Sequence, residues 1–182
     1  MIAGEISDDA HVTDRLFSPK SLNEITNIRG VGRTRLIETS CPDSVVDISG
    51  LPNEVRILVI ARFPQTERFF AGQKLGCRGD FSIIDVVHRL IVHLEIKRTH
   101  KSGIKEQLLG SSALIPYFRA LASKMLFENH YLENYEERFV SVGYSSIDMR
   151  NSSGRKLIGT GTSANDVKRI NYPGVLQYRN LI

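Results

Sequence analysis

The sequence predicts a mixed α/β fold. Residues 80–87 and 90–97 are short, rich in Ile and Val, and separated only by His88-Arg89, so they read as an antiparallel hairpin. Residues 104 to about 129, opened by Ser102-Gly103, read as a long helix, and residues 139–147 as a further strand. Helical and extended segments thus share a chain of 182 residues, a length that suits one domain with a substantial core.

The remaining elements follow in order. Residues 5–14 carry Glu5, Asp8, Asp9 and Asp14 and read as an acidic, poorly packed start. Residues 21–40 read as two short helices around Gly30-Val31-Gly32, and 44–51 as a connector. The apolar segment 55–70 reads as a helix interrupted at Pro64. Gly110 and Pro116 predict a kink or break in the long helix. Residues 150–161, rich in Gly and Ser, read as a loop around a short strand at 156–158, and 175–182 as a last strand or helix. The expected organisation is a small helical N-terminal region, residues 1–50, before a main domain, residues 51–182.

Composition narrows the partners. With 41% hydrophobic and 24% charged residues the chain is ordinary globular protein, and no apolar run approaches the roughly 20 residues of a membrane helix. Residues 1–9 hold three acids and no apolar block, unlike a secretory signal. Cys41 and Cys77 stand alone, which suits free thiols in a reducing, cytoplasmic compartment and argues against a cysteine-based zinc site. The net charge is +4, unevenly spread: Arg29, Arg33 and Arg35 form one cluster, Lys97, Arg98, Lys101 and Lys105 a second, and Arg150, Arg155, Lys156, Lys168, Arg169 and Arg179 a third. Any one cluster is ordinary solvated surface; three together suit a polyanion, whose phosphates Lys and Arg neutralise.

The chemistry concentrates in the hairpin. Alternation along the second strand puts Glu95 and Lys97 on one face, with Ile91 and His93, and Leu90, Val92, Leu94 and Ile96 on the other, suited to lie beneath a helix. Pairing about a turn at 88–89 matches residue 80 with residue 97, so Asp80, Glu95 and Lys97 converge. Mg²⁺ takes oxygen ligands and is held by one or two carboxylates plus substrate phosphate oxygens. It polarises a scissile phosphate and lowers the pKa of water, while a neighbouring lysine orients that water and offsets developing charge. Asp85 lies near the turn on the opposite face and reads as a surface residue, and His93 as a satisfied, partly buried one.

Asp80, fourteen intervening residues and then Glu95-Ile96-Lys97, on two apolar strands followed by a helix, resembles the motif of the PD-(D/E)xK nuclease superfamily. The resemblance covers roughly residues 54–147. It implies a restriction-endonuclease-like mixed β-sheet flanked by helices, Asp80 and Glu95 as metal-binding carboxylates, Lys97 as the catalytic lysine, and Mg²⁺ as cofactor with Mn²⁺ as substitute. The family's usual proline before the aspartate is Gly79 here. Many members add a glutamate from a preceding helix, for which Glu67 is the candidate with Glu54 behind it, and several add a glutamine from the following helix, here Gln107.

Residues 21–36, with Gly30-Val31-Gly32, resemble a helix-hairpin-helix element. That implies backbone contact with a DNA phosphate at Gly30 and Gly32, strengthened by Arg29, Arg33 and Arg35, although the family's usual alanine near position 35 is an arginine. An ordinary glycine turn is the alternative. Arg98, Lys101 and Lys105 flank the hairpin motif and are expected on the DNA as well.

The expected activity is that of a metal-dependent endonuclease hydrolysing phosphodiester bonds in duplex or branched DNA through a metal-activated water. With no Trp and no interleaving of Tyr with basic residues, a stacking platform for single strands is not evident. A homodimer is expected, because two cuts need two sites. The alternatives are a non-catalytic nucleic-acid-binding module on the same scaffold and a protein-interaction domain whose basic clusters are only solvated.

Overall fold

The computed structural model describes residues 9–28, 30–63, 76–97, 102–143, 159–171 and 174–182. It is a mixed α/β fold built on two mixed sheets. The central sheet has five strands in the order β4 (Val55–Val59), β5 (Phe81–Asp85), β6 (Leu90–Lys97), β7 (Glu136–Gly143) and β8 (Lys168–Asn171). The pairs β4–β5 and β5–β6 are antiparallel, whereas β6–β7 and β7–β8 are parallel. The second sheet has the order β1 (Thr26–Ile28), β2 (Val31–Ile37), β3 (Val45–Leu51) and β9 (Val175–Gln177), with β9 parallel to β3.

The sheets share one core. Leu36, Val46 and Ile48 from the second sheet pack with Ile57, Phe81, Val92, Leu94, Ile96, Val140 and Ile170 from the central one. The row Val92, Leu94, Ile96 therefore lies against the other sheet rather than beneath a helix. The opposite face of the central sheet carries the helices. α1 (Asp9–Leu16) and α3 (Leu114–Leu121) bury Ala10, Val12, Ile115 and Phe118 against Leu58, Ile84 and Ile91, while α2 (Ile104–Ser112) packs Ile104 and Leu108 with Phe139, Ala164 and Val167. The molecule is thus layered sheet, sheet, helices.

Four expectations are corrected. The described residues between 22 and 40 form no helix: β1 and β2 make a hairpin whose turn includes Gly30 at φ 78°. The physical sign is strict alternation in β2, where Gly32, Thr34 and Leu36 are buried and Val31, Arg33, Arg35 and Ile37 exposed. Residues 45–51 are strand β3, not a connector, and the expected boundary after residue 50 falls inside it. Residues 55–59 are strand β4, at the edge of the central sheet, followed by a 3-10 turn, Ile60–Arg62; Val55, Ile57 and Val59 alternate onto the face toward the second sheet and Leu58 onto the helical face, and residues 64–70, Pro64 included, lie outside the described residues. From Asp9 on, the acidic start is α1, in which Asp9 accepts hydrogen bonds from Tyr135 Oη (2.9 Å) and the Leu132 N–H (3.4 Å), while Glu5 and Asp8 lie outside the described residues.

The long helix breaks at Ala113, between the two suspected points, because Pro116 sits in the first turn of α3, where its missing N–H costs nothing. Gly110 stays helical for a different reason: a Cβ there would lie 1.7 Å from the Cys77 carbonyl oxygen, so only glycine lets α2 press on the segment leading to Asp80. β8 was not anticipated from the sequence, and residues 175–182 are both a strand and a 3-10 turn, Tyr178–Asn180. The suspected strand at 156–158 lies outside the described residues, and no helix among the described residues is long and apolar enough to cross a membrane.

Candidate active site

The β5–β6 hairpin turns through residues 86–89, so Phe81 pairs with Leu94 and the register brings Asp80 opposite Glu95 rather than opposite Lys97. The shift is by two residues, which preserves the face: Asp80 and Glu95 both look toward the helical layer. Asp80 is locked in place from both ends, its N–H donating to the Leu94 carbonyl (3.2 Å) and its Oδ2 accepting from the Ile96 N–H (2.8 Å). Glu95 is 1% exposed, and its Oε1 meets Lys97 Nζ at 2.6 Å.

α2 roofs the pair. The Gly79 N–H donates to Ser111 Oγ at 2.9 Å, and a Cβ on Gly79 would lie 3.0 Å from that oxygen and 3.4 Å from Glu95 Oε2. A proline at this position, as in the family the motif resembles, would lose the donor. Gln107 lies one turn before Ser111 on α2. Two buried acceptors, Glu95 Oε2 and Gln107 Oε1, have no hydrogen-bond partner among the described residues.

The electrostatics are those of carboxylates short of positive charge. Burial raises the Asp80 carboxyl to about 6, against the stabilising Ile96 N–H and Lys97. Burial and then the neighbouring Asp80 push Glu95 to about 8, with Lys97 acting the other way. Glu38 also raises both, so a third carboxylate stands within electrostatic reach. Glu38 directly follows β2 and reaches the site from the second sheet; its Oε1 accepts from Ser40 Oγ at 2.6 Å. No local pattern marks it in the sequence, because its proximity arises only from the packing of one sheet on the other.

Among the described residues no group of three or more His, Cys, Asp or Glu side chains is drawn together as a metal cluster. The donor set at Asp80 and Glu95 nonetheless fits one hard divalent cation: a buried carboxylate oxygen without a partner among the described residues, and two acids whose ionisation burial opposes, are the conditions that a cation relieves.

Other expected residues are dispersed. Glu67, Arg29, Arg98 and Lys101 lie outside the described residues. Glu54 precedes β4 at the end where Val55 pairs with Asp85, the far end of β5 from Asp80, and is no partner for the site. Gly30 and Gly32 belong to a β-hairpin, and a Cβ on Gly32 would lie 2.6 Å from the Leu51 carbonyl oxygen, so this glycine serves strand packing. Arg33 is exposed on the second sheet, and Arg35 pairs with Asp47 at 2.7 Å. Lys105 is exposed near the start of α2. Asp85, expected at the surface, is fully buried and accepts from Tyr178 Oη at 2.6 Å. His93 is satisfied, as expected, and wholly buried, bridging Ser82 Oγ and Glu137 Oε2 at 2.9 Å each.

No protein-family model, no curated protein and no solved structure matches this chain.

Proposed function

We propose that the protein is a metal-dependent endonuclease that hydrolyses phosphodiester bonds in DNA, a restriction-endonuclease-like member of the PD-(D/E)xK superfamily. The observation that carries the reading is the pairing of Asp80 with Glu95 across the hairpin, with Lys97 against Glu95 and one Glu95 oxygen without a partner among the described residues. The order hairpin, helix, parallel strand in β5, β6, α2–α3 and β7 supports it.

In this reading Asp80 and Glu95 hold the cation, Mg²⁺ or in its place Mn²⁺. When bound, the cation supplies Lewis acidity to the scissile phosphate and to the attacking water. The backbone of Ile96 fixes the aim of Asp80, and the roof of α2 keeps bulk water from Glu95. Lys97 offers a charged donor, less than a quarter exposed, that orients the water and offsets charge on the phosphate. The working form is a homodimer inside the cell, one site to each strand.

The test is cleavage of a panel containing supercoiled plasmid, linear duplex, single strands, a four-way junction and RNA, with Mg²⁺ or Mn²⁺. Cleavage by wild type that is abolished in Asp80→Ala is the expected result. Absence of cleavage across the panel, or equal cleavage by the variant, overturns the reading; metal-independent, salt-sensitive binding alone would point to a non-catalytic DNA-binding module.

A further inference from the structure

Beside α2 the chain forms a groove of about 530 Å³ whose lining includes Lys105 but none of Asp80, Glu95 and Lys97. Ile104, Ala164 and Val167 give it an apolar floor, and these side chains belong to the small core beneath the start of α2. Lys105 and Arg169 line it with exposed cationic side chains. The lining also carries one carboxylate, Asp166, whose Oδ2 accepts from the Thr160 N–H (3.1 Å) and from Thr160 Oγ1 (2.5 Å); these neutral donors keep it ionised, so the two cations leave the lining with a net charge of about +1. An apolar floor under two cations matches a nucleotide unit, with a base or sugar below and a phosphate above, and the volume lies in the roughly 300–1,000 Å³ range of ligand sites.

The register sets this groove beside the candidate active site. Glu95 pairs with Ser141 in β7, and Ser141 with Arg169 in β8, across parallel strands. The neighbours Arg169 and Ile170 point to opposite faces, and Ile170 is in the core between the sheets, so Arg169 emerges on the helical face with Glu95. Two strand spacings separate them, about 10 Å. Phosphates rise about 3.4 Å apiece along a duplex strand, so a strand cut at Glu95 carries a phosphate over Arg169 within about three nucleotides.

We infer that this groove is a strand-holding subsite, in which Lys105 and Arg169 grip the sugar-phosphate backbone of nucleic acid flanking the scissile bond. The inference rests on the proposed cleavage of DNA for its substrate. It adds a place where the strand is held without its sequence being read.

Binding tests it separately from cleavage. Anisotropy of a short fluorescein-labelled DNA single strand and duplex is measured in EDTA with the full chain and with Lys105→Gln/Arg169→Gln. The expected result is an affinity loss of about tenfold or more at moderate salt and a salt slope shallower by about 1–2, one increment per phosphate contact. Lys105→Arg/Arg169→Lys restores most of the affinity. Unchanged affinity and slope in the first variant overturn the subsite and leave cleavage to be judged by the nicking assay. Competition by inorganic phosphate, a mononucleotide or poly-glutamate as strong as that by unlabelled DNA, per charge, identifies a general anion site and also overturns it. A wild type that holds DNA through these two side chains and never cleaves it sinks the cleavage reading alone.

Discussion

The Ile96 N–H donates to Asp80 Oδ2 at 2.8 Å, so the strand that carries Glu95 also aims the other carboxylate. This bond ties the two acids into one unit: any movement of β6 moves both. It also separates two substitutions at Asp80. Asp80→Asn keeps an acceptor for Ile96 but loses the charge, whereas Asp80→Ala loses both. Both variants are expected to lose about 10²–10⁴-fold in cleavage rate, the range for removing one essential polar group from a reacting centre. Asp80→Ala alone should also lower thermal stability. A cleaving Asp80→Asn variant would show that the charge is not required.

The raised carboxyls make a prediction about pH. The ordinary values are 3.8 for Asp80 and 4.5 for Glu95, against about 6 and about 8 in the fold. Between about pH 4 and pH 8 the folded, metal-free protein therefore holds protons that the unfolded chain has released, and stability falls as pH rises through that window. The contribution is fully present below the unfolded values and gone above about pH 8. Thermal unfolding in EDTA should show a fall in Tm of about 4–10 °C from pH 5 to pH 8, a few kcal/mol for a chain of this size. Glu95→Gln should flatten most of that slope, and millimolar Mg²⁺ should raise Tm at pH 8 in wild type but not in Glu95→Gln. Identical slopes in wild type and variant would remove Glu95 as their cause.

The hairpin was legible because its chemistry is local. Alternation in residues 90–97 places Glu95 and Lys97 on one face whatever surrounds them. Its register was not legible: His88-Arg89 resembles a two-residue turn, yet Arg89 takes up a left-handed φ of 51° at the end of a four-residue loop, and the pairing shifts by two. In the N-terminal part Gly30-Val31-Gly32 reads equally well as a helix turn or a hairpin, and tertiary burial of Gly32, Thr34 and Leu36 decides for the hairpin. Glu38 is the clearest case of what sequence conceals. It is far from Asp80 along the chain, and only the sheet-on-sheet packing brings their charges together.

Gly110 controls the roof over Glu95. A Cβ there would meet the Cys77 carbonyl oxygen at 1.7 Å, and that backbone cannot swing aside as a side chain would, so α2 must move away if Gly110→Ala folds. The expected cost is about 1–3 kcal/mol or more, the penalty of overpacking. Cleavage should fall further than stability accounts for, because Gln107 and Ser111 shift away from the segment that ends in Asp80. Gly110→Ala with wild-type Tm and rate would contradict the close approach. Ser111→Ala, which deletes the acceptor for the Gly79 N–H and the donor to the Gln107 carbonyl, should cost about 1–3 kcal/mol by comparison.

The last prediction concerns the opposite end of β5. Asp85 is fully buried, faces the second sheet, and accepts from Tyr178 Oη (2.6 Å) and the His88 N–H (3.1 Å), with His88 Nδ1 at 2.7 Å. These contacts fasten the hairpin turn to the C-terminal 3-10 turn. Burial and the adjacent Asp85 carboxylate raise the Tyr178 phenol above its ordinary range, so it stays a proton donor at any working pH. Tyr178→Phe keeps the ring in the core but leaves Asp85 short of one donor, at a cost of about 1–3 kcal/mol. Tm should fall by about 3–9 °C. The cleavage rate at 25 °C should hold, because the whole of β5 separates Asp85 from Asp80. Circular dichroism melts and plasmid nicking on the same preparation check both halves. A stability loss with the rate retained would mark Asp85 as a structural acid, whereas a rate loss without a stability loss would give this end of the strand a part in the chemistry.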